Sequence, residues 1–120
     1  MVEIILYTGL LYLIQLILEG QLKRMGSNKA ERAHKAVHNL RESLPIFLAF
    51  AILSIVFEAD QNISLAVYWL ITRVVYAIIY ISGLGLKPAA EGSTYEPQPI
   101  RGAVWATSVV LLVMMGLNLV

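Results

Sequence analysis

The sequence predicts an all-α integral membrane protein, a bundle of four transmembrane helices forming a single domain over residues 1–120. Three observations carry this. Of the 120 residues, 58% are hydrophobic and only 14% charged, against about 25% charged in an ordinary soluble domain. The mean hydropathy is +0.72. The apolar residues gather in four runs, at 4–18, 44–57, 63–83 and 102–120, near the roughly 20 residues that cross a bilayer.

The first span, 2–22, reaches full length by including Val2, Glu3 and Glu19. Glu3 stands where a signal peptide carries Lys or Arg, and no small-residue cleavage site follows, so this span is expected to be retained. The second, 29–57, joins a polar half to an apolar one. The stretch "ERAHKAVHNLRESLPIFLAF" runs from one into the other without interruption. The tight connection "FEADQN" makes the second span and the third, 62–83, an antiparallel hairpin. The third connection, 84–99, is rich in Gly and Pro and cannot continue a helix. Its length leaves a lid or binding role open. The fourth span is 100–120. Asn62-Ile63-Ser64 matches a glycosylation sequon, but a three-residue pattern is too common by chance to carry weight.

Several functions are excluded at this level. A net charge of +1 forms no basic face able to grip phosphates, so nucleic acid is not a partner. The chain has no cysteine, which removes disulfides, thiolate metal sites and a cysteine nucleophile. Thiol chemistry would need a thiol from outside. His34 and His38 lie four apart but lack a third ligand, so no metal is expected.

Six of the nine basic residues lie between Lys23 and Arg41, around the first connection. The second connection carries Glu58 and Asp60 and no base, and the third has Lys87 against Glu91 and Glu96. Counting Lys and Arg, the first and third loops belong in the cytoplasm and both termini on the opposite side. Lys23, Arg24 and Lys29 are by default headgroup anchors.

The polar residues then fall on faces. At 100° per residue, Arg32, Lys35, Asn39 and Glu42 lie within about 80° of one another, with His38 at the margin. Arg41 lies off this stripe and needs another partner, such as a lipid headgroup. Arg73, Tyr76 and Tyr80 share a face of the third helix by the same spacing. Arg73 lies about ten residues inside its span, where a charge must be paired or face water. Two readings are open: a Glu42–Arg73 ion pair tying two helices together, or a pocket for a small zwitterionic, polyanionic ligand. In the pocket, cations would hold carboxylates, Glu42 an amine and Asn39 a peptide group. The number of hydrogen-bonding groups exceeds what a structural lock uses.

These residues resemble a motif of the MAPEG family (membrane-associated proteins in eicosanoid and glutathione metabolism), which includes microsomal glutathione transferases and a non-enzymatic lipid-binding scaffold. The family's second-helix pattern is Arg, a base, Asn, Glu and Pro, and Arg32, Lys35, Asn39, Glu42 and Pro45 match it. Arg73, Tyr76 and Tyr80 match its third helix, and Lys23, after Gln21, matches a base at the end of its first. The resemblance implies a homotrimer binding glutathione in a cleft between subunits, open to the cytoplasmic side. It further implies that Arg101, at the start of the fourth helix, stabilises the glutathione thiolate. The thiolate would attack a lipophilic electrophile or reduce a lipid hydroperoxide arriving through the membrane. Lys35 stands where several relatives have Arg, so it lacks the bidentate fork.

Two other readings belong to different classes. A non-catalytic membrane scaffold for lipid or glutathione would keep the fold without activating a thiol; retention of the polar set, including Arg101, counts against it. A small four-helix multidrug transporter would place its acid inside the first span. Here Glu19 lies at the end of that span, beside a basic loop, and the cationic stripe has no use in exporting cations.

Overall fold

The computed structural model describes residues 1–88, 91–92 and 97–120. Four helices follow one another: α1 (Val2–Arg24), α2 (Ala30–Val56), α3 (Gln61–Ser82) and α4 (Pro99–Leu117). Each is long and apolar enough to cross a membrane, which makes the chain a multi-pass integral membrane protein. At 1.5 Å per residue, α1 is about 34 Å long, which suits a hydrocarbon core of about 30 Å. α2 extends further because its first turns are polar. The helices pack as a flat slab of 49 × 30 × 17 Å, with α1 against α2 and α3 against α4 as the most extensive contacts. The third connection extends over residues that lie partly outside those described, so Glu96 and a lid role for this loop are not placed.

The exterior is greasy, as a bilayer requires. Leu6, Leu10, Leu13 and Ile17 of α1 are exposed, together with Ile71 and Ile78 of α3 and Val110 and Val113 of α4. The interior is small and centred on Phe47 and Trp69, whose rings stack with centroids 4.0 Å apart and planes 6° from parallel. Leu40, Ala51, Ala66, Leu112 and Met115 close around them. Ala and Gly set the approach of the helices. A Cβ on Gly116 of α4 would stand 3.1 Å from the ring of Phe50 on α2.

Backbone groups cannot be left open in lipid, so the helix ends are tied off. α1 ends in a Schellman motif: Ser27 N–H donates to Leu22 O and Gly26 N–H to Lys23 O, with Gly26 at φ 66°. α2 ends the same way. Ala59 N–H donates to Ser54 O at 2.8 Å and Glu58 N–H to Ile55 O at 3.3 Å. Here the left-handed position is held by Glu58, at φ 55°, where an L side chain is strained. Beside this turn, fully buried Asn62 donates to Ser54 Oγ and to Met115 O, and accepts from Asn118 Nδ2. That knot ties α2, α3 and the end of α4 together. It also removes Asn62 from any role as a sugar acceptor.

Among the described residues three buried side-chain atoms have no hydrogen-bond partner: Gln15 Oε1, Trp69 Nε1 and Arg73 Nε. Gln15, 4% exposed in the middle of α1, has no hydrogen-bond partner for its side-chain carbonyl oxygen.

Two predictions follow from these features. Glu58→Gly relieves the left-handed strain and is expected to stabilise the protein by about 0.5–1 kcal/mol, read as a raised unfolding temperature in detergent. Gln15→Leu removes an unpaired buried amide and is expected to stabilise by about 1 kcal/mol. Unchanged or lowered stability of Gln15→Leu would mean that the amide has a partner outside the protomer.

Candidate functional site

The polar half of α2 lies against the last two turns of α3 and the start of α4, on the side of the first and third connections. Pro45 marks the border: α2 passes through it as helix, but proline cannot donate to the Arg41 carbonyl. Above this border the α2 side chains are charged, and below it they are apolar. Two adjoining cavities occupy the region. One, of about 430 Å³, is lined by His34, Lys35, His38, Asn39, Glu42, Tyr76, Tyr80 and Arg101. The other, of about 520 Å³, is bounded by Asn28, Lys29, Arg32 and Ser82 and shares Lys35, Tyr80 and Arg101 with the first. Tyr80 forms the partition. Its ring lies 5.1 Å below the Arg32 guanidinium and 4.3 Å from that of Arg101, and it meets Tyr76 edge-on at 5.7 Å.

The fixed parts of this site are guanidiniums. Arg32 Nε donates to Tyr80 O at 2.6 Å and its Nη2 to Gln98 Oε1 at 2.8 Å. Gln98 is 3% exposed, and its Nε2 donates to Ile79 O and to Leu84 O, both at 2.7 Å. One side chain at the N-cap of α4 thus ties the end of α3 to the start of α2. It also sets where α4 begins, and so where Arg101 stands. Deeper in the bundle, Arg73 is 2% exposed. It donates from Nη2 to Asn39 Oδ1 at 2.6 Å and from Nη1 to Ser108 Oγ at 3.5 Å, and stacks 4.6 Å from the Tyr76 ring.

Of the two open readings, the Glu42–Arg73 ion pair does not form. Glu42 pairs with His38 one turn back, at 3.0 Å, and both side chains are exposed, whereas Arg73 is sealed behind Tyr76. Arg73 instead uses neutral oxygens from α2 and α4, which spares it the desolvation of a carboxylate. Arg41 also finds a protein partner rather than a lipid headgroup: its Nε donates to the Tyr12 hydroxyl at 3.0 Å.

Of the residues singled out from sequence, Lys35, His38, Asn39, Glu42, Tyr76, Tyr80 and Arg101 line the first cavity. Arg32 is in the second, and Arg73 lies beneath both. Lys23 is exposed at the end of α1 and lines neither. Two residues were not anticipated. His34 lines the first cavity and is tied to Glu19 of α1 at 2.5 Å; its i, i+4 spacing to His38 was the available signal. Gln98 carried no signal, because its role depends on three backbone segments distant in sequence.

An apolar groove of about 600 Å³ continues from Asn39 and Glu42 between α2 and α4, past Ile46, Phe50, Trp105, Val109 and Val113. A polar chamber near one membrane face thus opens directly onto a lipid-facing groove. A family profile described as the MAPEG family matches residues 4–120, nearly the whole chain. The chain belongs to the MAPEG family. Comparison with curated proteins and with solved structures returned no match. As a MAPEG protein, the chain has a membrane role of the glutathione- or eicosanoid-related kind in general.

Gln98→Leu tests the framework. It strips an acceptor from Arg32 and a donor from two carbonyls, and is expected to destabilise by about 1–3 kcal/mol. Thermal unfolding in detergent would show this, together with faster hydrogen exchange at the end of α3.

Proposed function

We propose that this MAPEG protein is a membrane-bound glutathione-dependent transferase or peroxidase. The observation that carries the reading is the first cavity, which gathers Lys35, Asn39, Glu42, Tyr76, Tyr80 and Arg101 around about 430 Å³. Glutathione offers two carboxylates, an ammonium, two peptide groups and a thiol. The residues fit it group by group. Glu42 suits the ammonium, Asn39 a peptide group, and Lys35 a carboxylate. His38 occupies Glu42 in the free protein, so the amine would displace an imidazole. Asn39 is already oriented by Arg73, which makes Arg73 and Arg32 supports rather than direct ligands.

Arg101 suits the thiol. A free thiol with a pKa of about 8.5 becomes mostly thiolate at neutral pH beside a fixed cation. Arg101 lies over Tyr80, and its place is set by the Gln98 cap. The thiolate sulfur would then bond to an electrophilic carbon, expelling its leaving group or adding to an activated double bond, or attack a peroxide oxygen. The second route breaks the O–O bond to release an alcohol and leave a glutathione sulfenic acid that a second glutathione converts to disulfide and water. The second substrate would reach it along the α2–α4 groove, which favours a hydrophobic molecule delivered by the bilayer. Lys23, outside both cavities, fits an assembly as a homotrimer in which a neighbour's α1 completes the cleft. By the distribution of Lys and Arg, the cavity opens to the cytoplasm.

Calorimetry with glutathione on detergent-purified protein tests this. The parent is expected to bind, and Glu42→Gln to bind about tenfold or more weakly. A thiolate absorbance band is expected in the parent complex and absent in Arg101→Ala. Binding without thiolate would instead indicate a glutathione-binding protein without thiol activation. No binding by folded parent at millimolar glutathione would overturn the reading.

A further inference from the structure

The second cavity, on the Arg32 side of Tyr80, shares Lys35, Tyr80 and Arg101 with the first, but its far wall is not used by the proposed chemistry. Its wall includes Lys29, at the N-cap of α2, and Ser82, the last residue of α3. Both stand at helix ends, at the depth of lipid headgroups. Among the described residues the Lys29 ammonium has no partner, and Arg32 spends Nε and Nη2 on Tyr80 and Gln98 while Nη1 remains open. Among the described residues the one acid in the lining, Glu31, is taken by Lys35 at 3.2 Å.

This cationic chamber is continuous with a third feature. A groove of about 630 Å³ runs between α1 and α3, with walls of Leu10, Ile14, Leu70, Val74 and Ile78, and it shares Lys29, Ile81 and Ser82 with the chamber. It lies between different helices from the α2–α4 groove described above. The combination is amphipathic along one line: two cations and a hydroxyl at the interface, then a hydrocarbon-lined trough reaching toward Tyr7.

We infer that this composite site binds an acidic phospholipid of the surrounding leaflet. The headgroup phosphate sits by Lys29 and Arg32, and one acyl chain lies in the α1–α3 groove. Charge complementarity selects the occupant. A zwitterionic lipid would bring an ammonium against Lys29 and Arg32, whereas an acidic one brings only negative charge. Each basic residue near a membrane surface favours an anionic lipid by about fivefold. Desolvation by the surrounding chain and tyrosine strengthens that preference. The inference is independent of the glutathione reading, because no thiol or cosubstrate enters it.

The full-length protein is reconstituted in bilayers of phosphatidylcholine and phosphatidylglycerol, extracted gently, and its retained lipids are measured by native mass spectrometry. Phosphatidylglycerol is expected to be retained at least about fivefold above its share of the bilayer. Lys29→Glu is expected to abolish the enrichment, and Lys29→Gln to reduce it. Val74→Trp, or Ile78→Trp where the first does not fold, fills the groove and is expected to lower retention of phosphatidylglycerol.

Equal retention of the two lipids would overturn the proposal. So would enrichment lost in Lys29→Glu but untouched by both groove-filling variants, which marks a surface headgroup contact alone. Full displacement by inorganic phosphate would identify a free-anion site instead. A disulfide between copies of Val74→Cys, in a chain with no other cysteine, would show that a second copy covers the groove.

Discussion

A guanidinium sealed inside a membrane-spanning bundle organises this molecule. Arg73 sits in α3 with almost no exposure, and no carboxylate pairs with it among the described residues. Water cannot reach it, and lipid offers nothing in its place. Its two terminal nitrogens therefore donate to Asn39 of α2 and Ser108 of α4, its flat face lies on Tyr76, and Nε is left without a partner. Three helices are drawn to one point by a single side chain. Everything nearer the membrane face then inherits its position. Asn39 has its carbonyl turned inward, Tyr76 is held flat against the cation, and Tyr80 is left as a partition between two chambers.

The remaining polar contacts are layered along the bundle. Toward the α2–α3 turn, Asn62 joins Ser54, Met115 and Asn118. Toward the opposite face, Gln98 joins Arg32, Ile79 and Leu84. Between them lie the Phe47–Trp69 stack and small residues that allow close helix approach. Apolar side chains cannot distinguish the inside of a membrane protein from its lipid-facing outside, so directional bonds carry helix register here. The two amide knots and the guanidinium are those bonds. The glutamate at the left-handed position of the α2 turn is the exception, a strained residue where α1 uses glycine for the same motif.

The helices were legible in the sequence because hydropathy and length decide them in lipid. The second span was legible too, although its polar half exceeds what a bilayer needs, since nothing interrupts it before Pro45. Helical spacing placed Lys35, Asn39 and Glu42 on one face of α2 and Tyr76 and Tyr80 on one face of α3. Spacing within a helix does not determine how neighbouring helices are rotated. This is why the partner of Arg73 stayed open in the sequence: Glu42 stands at a similar depth but turns outward toward His38. It is also why Gln98 escaped notice, since a residue bonded to Arg32 of α2 and to carbonyls at and just past the end of α3 has no local periodicity. Arg41 likewise found Tyr12 across a helix contact that no pattern in α2 encodes.

The contact between Gly116 and Phe50 lies far from the charged chamber, yet it fixes the spacing of α2 and α4 along the groove. A single methyl at residue 116 would press the phenylalanine ring aside and alter the channel's width. The hydrogen bonds that hold the chamber, from Arg32, Gln98 and Arg73, involve neither Gly116 nor Phe50. The width of the lipid-facing groove and the polar contacts at its end are therefore set by different residues.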